Sequence, residues 1–405
     1  MVFDNASIWR GLFLSQRSDR GGQRPARCSA IHHGVTPLPD KSTQRQKHQS
    51  TRTPQDGATR QYLHAELLAT TDMSRPQELS NGGGRSLQQW RRGSQWAAPR
   101  QFESEIALSP ARRFAIVGDL QRRSRLEPWR QSNCAERAHI IRQIAQEAPD
   151  FLAIVGDLVF CGSSRAHWAE FDHLTTPLHD AAIPVLPLLG NHEYWLSRLS
   201  RQSALSNFFA RFPHLQGQHW YSMSYGQLGL LFLDSNMRHL PASRWQEQMG
   251  WYQQELERFE HDEEIAGVLV LLHHPPYTNS TLTPDGLHVQ RSFVPAFMGA
   301  RKTLAMISGH VHSYERFERA GKTFLVSGGG GPRIKLATGR WRRHIDDLFA
   351  GPAWRHFHFL RLTLSPTGLE IEMRGLQEHE SEFETLDCFT SPWVPSAPLV
   401  GLCRT

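Results

Sequence analysis

Six apolar runs share one form along the middle of the chain. "RFAIVGD", "DFLAIVGD", "IPVLPLLGNHE", "LGLLFLDSN", "AGVLVLLHHPP" and "KTLAMISGH" are each short, rich in Val, Ile and Leu, and cut off by Gly or a polar cluster. The apolar residues are continuous and do not alternate with polar ones, which is the mark of strands buried on both faces. Helical patterns lie between them. "CAERAHIIRQIAQEA" (134–148) places Ala138, Ile141, Ile144 and Ala145 on one stripe. "PASRWQEQMGWYQQELERFEHDEE" (241–264) spaces Trp245, Met249, Tyr252, Leu256 and Phe259 as a helix face does, and these side chains are read as core. "SMSYGQLGLLFLD" predicts a hairpin turning at Gly226-Gln227. The order β-α-β-α-β, then a hairpin, then more β-α-β predicts a mixed sheet with helices packed over it.

The C-terminal part is strand-rich. "KTFLVSGGGG" and "FHFLRLTLSPTGLEIEMRGL" carry the apolar positions, the second as a hairpin through Ser365–Gly368. A second sheet stacked on the first would bury them. Residues 331–355 are too polar for a strand and predict a long loop near the site. Gly328–Gly331 precedes neither Lys-Ser/Thr nor a clear helix, so it predicts close backbone packing and no phosphate loop.

Residues 1–110 differ in kind. "STQRQKHQSTRTPQDGATRQ" and "SNGGGRSLQQWRRGSQW" have no sustained period and too little apolar surface to offset chain entropy. They predict a disordered basic extension, with one short helix at "YLHAELLAT" (62–70) and an alternative start at Met73. A single catalytic domain is expected over 111–380 and a tail over 381–405. The first 100 residues carry 15 Lys and Arg against 7 Asp and Glu, so the chain's formal +6 belongs to the extension. The remainder is close to neutral, which argues against a nucleic-acid footprint. The five cysteines are scattered and odd in number and form no Cys-x-x-Cys pair, so neither a disulfide framework nor a zinc ribbon is indicated. Nothing approaches the roughly 20 apolar residues of a membrane helix, and "IWRGLFL" lacks the form of a secretory signal. The expected location is cytoplasmic.

The chemistry lies where the apolar runs stop. Asp119 and Gln121, Asp157, Asn191 and His192, His273 and His274, and His310 and His312 each follow a run directly. In α/β folds the ends of the strands gather on one edge, and ligands bind there. Any one of these residues could be a cap or a core histidine; the set is hard to explain that way. Carboxylate, amide and imidazole without thiolate suit borderline-to-hard divalent ions such as Mn, Fe, Zn or Co. Counting one residue from each of the adjacent pairs Asn191-His192 and His273-His274, seven candidate ligands exceed one structural site and suit two ions sharing a carboxylate. Such a pair, about 3.5–4 Å apart, clamps a phosphoryl group and holds a hydroxide nucleophile.

"GDLQ", "GDLVFCG", "GNHEYW", "LLHHPPY" and "GHVHSYER", in this order, resemble the calcineurin-like metallophosphoesterases over about residues 113–330, and lean toward the purple-acid-phosphatase-like branch. The resemblance implies that Asp119 and His312 bind a first metal, that Asp157 bridges, and that Asn191, His273 and His310 hold a second. It implies that His192 faces the phosphate and assists the transition state or leaving group. His273, not His274, matches the family's His-x-Pro ligand. Two positions depart from the family. The commonest pattern begins Asp-x-His, where this chain has Asp119-Leu120-Gln121. The purple enzymes lack that His and use a tyrosinate three residues after the bridging Asp, where this chain has Phe160. No purple Fe(III)–tyrosinate centre is therefore expected, and the first metal site should be loose or exchangeable. Tyr314, Glu315 and Arg316 either support the histidines from behind or form a surface ion pair. Phe160 and Trp195 either wall the substrate cleft or pack.

The expected architecture is α/β, a four-layer α/β/β/α sandwich of two mixed sheets with the metal site at the C-terminal strand ends. The expected activity is dinuclear metal-dependent hydrolysis of phosphate esters by a metal-bound hydroxide. The substrate would be a phosphorylated small molecule or a phosphoprotein. The alternatives are a nuclease of the same superfamily and a degenerate, non-catalytic phosphate-binding scaffold.

Overall fold

Each of the six apolar runs becomes a strand. The computed structural model describes residues 98–102, 105–124, 130–195, 204–377 and 382–394. All of them fall in the unit Asp56–Thr405. The short helix expected at 62–70 and the start at Met73 lie outside the described residues. The first sheet has the order β12-β11-β10-β1-β2-β3 and the second β4-β5-β6-β7-β9-β8. In chain order the strands are β1 (Arg113–Val117), β2 (Leu152–Ile154), β3 (Val185–Pro187), β4 (Tyr221–Tyr225), β5 (Leu228–Phe232) and β6 (Gly267–Leu272). β7 (Thr303–Ser308), β8 (Tyr314–Arg319), β9 (Lys322–Ser327), β10 (His358–Leu364), β11 (Gly368–Leu376) and β12 (Phe383–Pro392) complete them. β1, β2 and β3 run parallel, as do β5, β6, β7 and β9. Antiparallel partners at the edges make both sheets mixed.

Strand alternation sorts the side chains into three apolar layers. Between the sheets, Phe114, Ile116, Ala153 and Leu186 meet Leu230, Leu269, Leu271 and Ile307. On the outer face of the first sheet, Ala115, Val117, Leu152, Ile154 and Val185 meet α1 (Cys134–Glu147), α2 (Arg165–Leu174) and α3 (Thr176–Asp180). The short α4 (Ala204–Phe209) adds Phe208 to this layer. On the outer face of the second, Leu231, Val268, Val270 and Met306 meet α5 (Ala242–His261), α6 (Leu287–Ser292) and α7 (Val294–Gly299). The expected four layers are present. So is the predicted hairpin, which turns at Gly226 with φ 55°. No helix among the described residues is long and apolar enough to cross a membrane.

Three expectations shift. The C-terminal hairpin does not build a second sheet. β10 pairs antiparallel with β1 in the register Phe114↔Leu362, filling the edge that β2 leaves open, and the second sheet is begun by β4 and β5. The tail expected from 381 holds β12, an edge strand paired to β11 along its length. The extension expected to end at 110 reaches into the core. Phe102 is buried, its ring stacks on Phe212 at 5.3 Å and His179 at 3.9 Å, and its N–H donates to the Arg211 carbonyl at 3.1 Å.

Phe102 therefore sets the useful start of the domain. Removing a buried Phe side chain costs about 3 kcal/mol or more. A chain starting at residue 107 should unfold at a clearly lower denaturant concentration than one starting at residue 98. Coincident unfolding curves for the two would show that Phe102 is not part of the core's stability.

Candidate metal centre

The ends of β1, β2, β3, β6 and β7 converge, and each delivers a donor. Asp119, Asp157 and His310 follow their strands in the left-handed backbone region, with φ of 63°, 55° and 67°. Non-glycine residues held there cost about 1–3 kcal/mol each and persist only where the surroundings over-determine them. Here the surroundings are the donors themselves. The Asp119 carboxylate accepts the His310 N–H at 2.9–3.0 Å, and Asp157 Oδ1 accepts the His192 N–H at 2.9 Å. The glycines allow this crowding: a Cβ on Gly328 would stand 2.6 Å from Asp119 Oδ2, and one on Gly331 2.6 Å from the His312 ring. The run Gly328–Gly331 is close packing, as expected.

The histidine tautomers are fixed from behind. His273 Nδ1 donates to the Val155 carbonyl at 2.9 Å, and His312 Nδ1 to the Pro332 carbonyl at 2.8 Å. Each Nε2 then faces the cluster, the arrangement by which ligating imidazoles are usually held. His273 Nε2 lies 3.1 Å from Asn191 Oδ1, 3.2 Å from His310 Nδ1 and 3.3 Å from Asp157 Oδ2. His312 Nε2 lies 3.5 Å from Asp119 Oδ1. Donor atoms of Asp119, Asp157 and His273 fall within 4.8 Å of one another, as do those of His273, His274 and His310.

The electrostatics describe a centre built for positive charge. Burial would raise the Asp157 carboxyl, but His273, His192 and His310 hold it well below the usual carboxylate range. Burial would lower the His273 imidazole, yet Asp157 pushes it up to about 9. Burial and then His273 push His310 well down, leaving it neutral with a lone pair to offer. Carboxylate, carboxamide and imidazole atoms meeting in a buried space fit borderline divalent cations.

His274 stands slightly apart. Its Nδ1 is 2.8 Å from Ser235 Oγ, which also accepts the His273 and His274 N–H groups. Beside the centre, His192 donates from Nδ1 to the Phe160 carbonyl at 2.6 Å and stacks on Trp195 at 3.9 Å. The Phe160 ring lies 5.2 Å from both. Phe160 and Trp195 thus wall in His192.

Of the two roles considered for Tyr314, Glu315 and Arg316, an ion pair is what Arg316 makes, and it is a partly buried one. Tyr314 is core and donates from its hydroxyl to Asp387 at 2.9 Å, and Arg316 pairs with the same carboxylate at 2.9 Å, so both fasten β12. Glu315 is buried and accepts from the Thr278 hydroxyl and the Asn279 N–H, which anchors the segment after His273. None of the three bonds to the clustered histidines: Tyr314 and Arg316 reach Asp387, and Glu315 reaches Thr278 and Asn279.

One functional residue was missed. The Glu193 carboxylate is fully buried and accepts the N–H groups of Asp157, Leu158 and Gly190 at 2.8–2.9 Å and of Val159 at 3.4 Å. It ties the loop of Asp157 to the loop of Asn191. Its only signal in the sequence is an acid at the end of an apolar run with no basic partner nearby.

A family profile described as Calcineurin-like phosphoesterase matches residues 112–314. The chain belongs to the calcineurin-like phosphoesterase family. Among curated relatives of this chain, Purple acid phosphatase 22 of Arabidopsis thaliana is 27% identical over 239 residues, covering 55% of this chain and 51% of that protein. Purple acid phosphatase 15 of the same plant is 24% identical over 273 residues, covering 58% and 47%. The chain thus spans about half the length of the curated relatives it matches. Two solved structures share the fold. GAP50, the anchor in the inner membrane complex of Plasmodium, aligns with TM-score 0.53 at 15% identity, over 70% of this chain and 90% of that one. A purple acid phosphatase from yellow lupin seeds aligns with TM-score 0.50 at 20% identity, over 73% and 55%.

Proposed function

We propose that this phosphoesterase hydrolyses phosphate esters with two divalent cations held at the strand ends. Asp119 and His312 would hold one, Asn191, His273 and His310 the other, and Asp157 both. Bound there, the cations would supply positive charge to the phosphoryl group and acidify the attacking water. Mn, Fe, Zn and Co all suit the donor set. The observation that carries the reading is the convergence of Asn191 Oδ1, His310 Nδ1 and Asp157 Oδ2 within 3.3 Å of the buried His273 Nε2.

The chain's own residues then have separate tasks. Asp157 places one carboxylate between two sets of ligands. Glu193 fixes where that carboxylate stands by holding its backbone. His192 keeps its Nε2 3.8 Å from Asp157 Oδ2, with Nδ1 committed to Phe160. The Trp195 stack fixes the ring plane, so Nε2 is the nitrogen turned to the leaving oxygen, and it would give a proton there from the doubly protonated ring while Nδ1–H stays on Phe160. The substrate class is a phosphorylated small molecule or a phosphoprotein. The names of the plant relatives support phosphatase activity over nuclease activity.

The test is turnover of a chromogenic phosphate monoester and the matching diester by the full chain with each of the four metals. Hydrolysis should require added metal and stop with a chelator. No turnover of either ester with any metal would defeat the enzymatic reading and leave the scaffold, which Gln121 in place of a stronger ligand favours.

A further inference from the structure

The Gln121 side chain is buried and its carboxamide sits between two pairs of polar atoms. On the inner side its terminal atom lies 3.0 Å from His312 Nε2 and 3.3 Å from Asp157 Oδ2. On the outer side its other terminal atom lies 2.9 Å from the Asp157 carbonyl oxygen and 3.0 Å from that of Asp119. Oxygen and nitrogen of a carboxamide are told apart only by what they face. With the oxygen outside, three oxygens would crowd together with no hydrogen among them. With the nitrogen outside, both of its hydrogens are used, one on each backbone carbonyl. The outer pair therefore sets the orientation, and the amide oxygen faces inward.

With the His312 hydrogen on Nδ1, the amide oxygen and His312 Nε2, 3.0 Å apart, meet as two lone pairs on the inner side. His312 has given its Nδ1 hydrogen to Pro332, so Nε2 brings an unshared pair. Asp157 Oδ2 and Asp119 Oδ1 bring carboxylate pairs, the latter 3.5 Å from His312 Nε2. Four acceptor atoms, all from buried residues, face one another here, and the donors that reach them come from outside the group: the His310 N–H on Asp119 Oδ1 at 3.0 Å and His273 Nε2 at 3.3 Å from Asp157 Oδ2. Acceptors that face one another in such a place are costly. A divalent cation relieves all four at once. Donors about 2.0–2.2 Å from a common ion stand roughly 3.0–3.5 Å apart, the range seen here.

We infer that Gln121 is a metal ligand through its amide oxygen, completing the first cation site with Asp119, Asp157 and His312. This rests on the two-cation reading above. It explains why glutamine and not glutamate stands here: a second carboxylate oxygen would face the two backbone carbonyls that the NH2 group satisfies. It also gives the two sites unlike donor sets. The first has three oxygens and one nitrogen, the second two imidazoles with Asn191 and Asp157. An oxygen-rich shell suits harder ions such as Mn2+.

The experiment is calorimetric titration of the full chain with Mn2+, read with electron paramagnetic resonance for a spin-coupled pair. Wild type should bind two Mn2+ and show coupling. Gln121→Leu, close in shape and without a donor, should keep one tight site, lose the coupled signal and weaken the other site by about 100-fold or more. Loss of an outer partner alone costs about 10–100-fold, so a drop under tenfold with coupling retained would overturn the assignment. Gln121→His should keep two ions and tighten the weaker site, since imidazole is the stronger donor. An unchanged weaker site in that variant would also overturn it, and this arm stands even where Gln121→Leu fails to fold. Wild type that binds fewer than two Mn2+ would instead defeat the two-cation reading itself.

Discussion

Asp157→Asn is expected to lose nearly all phosphate-ester hydrolysis, by about 10³-fold or more in kcat, together with at least one of the two cations. One carboxylate is asked to hold both ligand sets together. Its Oδ2 is within 3.3 Å of His273 Nε2, while Oδ1 accepts the His192 N–H at 2.9 Å. Asparagine keeps the shape and one oxygen but brings no charge, and its NH2 group must meet either a backbone N–H or the cation itself. Folding should survive, because the imidazoles that press on Asp157 are relieved of no essential packing. The checks are metal content by mass spectrometry and turnover of a chromogenic ester on the same sample. A variant with two bound ions and near-wild-type turnover would sink the dinuclear reading.

The candidate ligands stood out in the sequence because each one ends an apolar run. A buried parallel strand must stop somewhere, and side chains at the stop are placed on one edge by topology alone. The sandwich was legible for the same reason: continuous apolar runs need cover on both faces. Strand partners were less so. β10 joins β1 through a long-range pairing that no local pattern encodes. β12 was invisible because an edge strand with exposed faces, "FETLDCFTSP", has no apolar run to announce it. What fastens it is Asp387, which receives Tyr314 and Arg316 from a distant part of the chain. Phe102 was hidden in the same way, as one aromatic in a polar stretch whose partners lie beyond residue 170. Glu193 was the hardest to see. Its partners are backbone N–H groups, which every residue has, so composition and spacing carry no trace of them.

That placement makes Glu193→Ala the change expected to harm the fold most. Four backbone N–H groups, of Asp157, Leu158, Val159 and Gly190, would lose their acceptor inside a buried loop pair. Each unsatisfied buried donor costs about 1–3 kcal/mol. Part of the loss is offset. Burial, and then the Asp157 charge, push the Glu193 carboxyl up to about 8, against the pull of its N–H donors, so removing the acid also removes a group that is costly to ionise there. Water entering the space would satisfy some donors. A net loss of about 3–5 kcal/mol is expected. Glu193→Gln should fall between, since one amide oxygen still accepts while the NH2 group confronts N–H donors. Activity should drop further than stability implies, because the Asp157 and Gly190 N–H groups set the positions of the bridging carboxylate and of Asn191. Denaturant unfolding of the three proteins, followed by metal titration at a temperature where all are folded, separates the two effects. If Glu193→Ala unfolded with wild type and still bound both cations, the carboxylate would be a bystander, and the strained backbone at Asp157 would need another support.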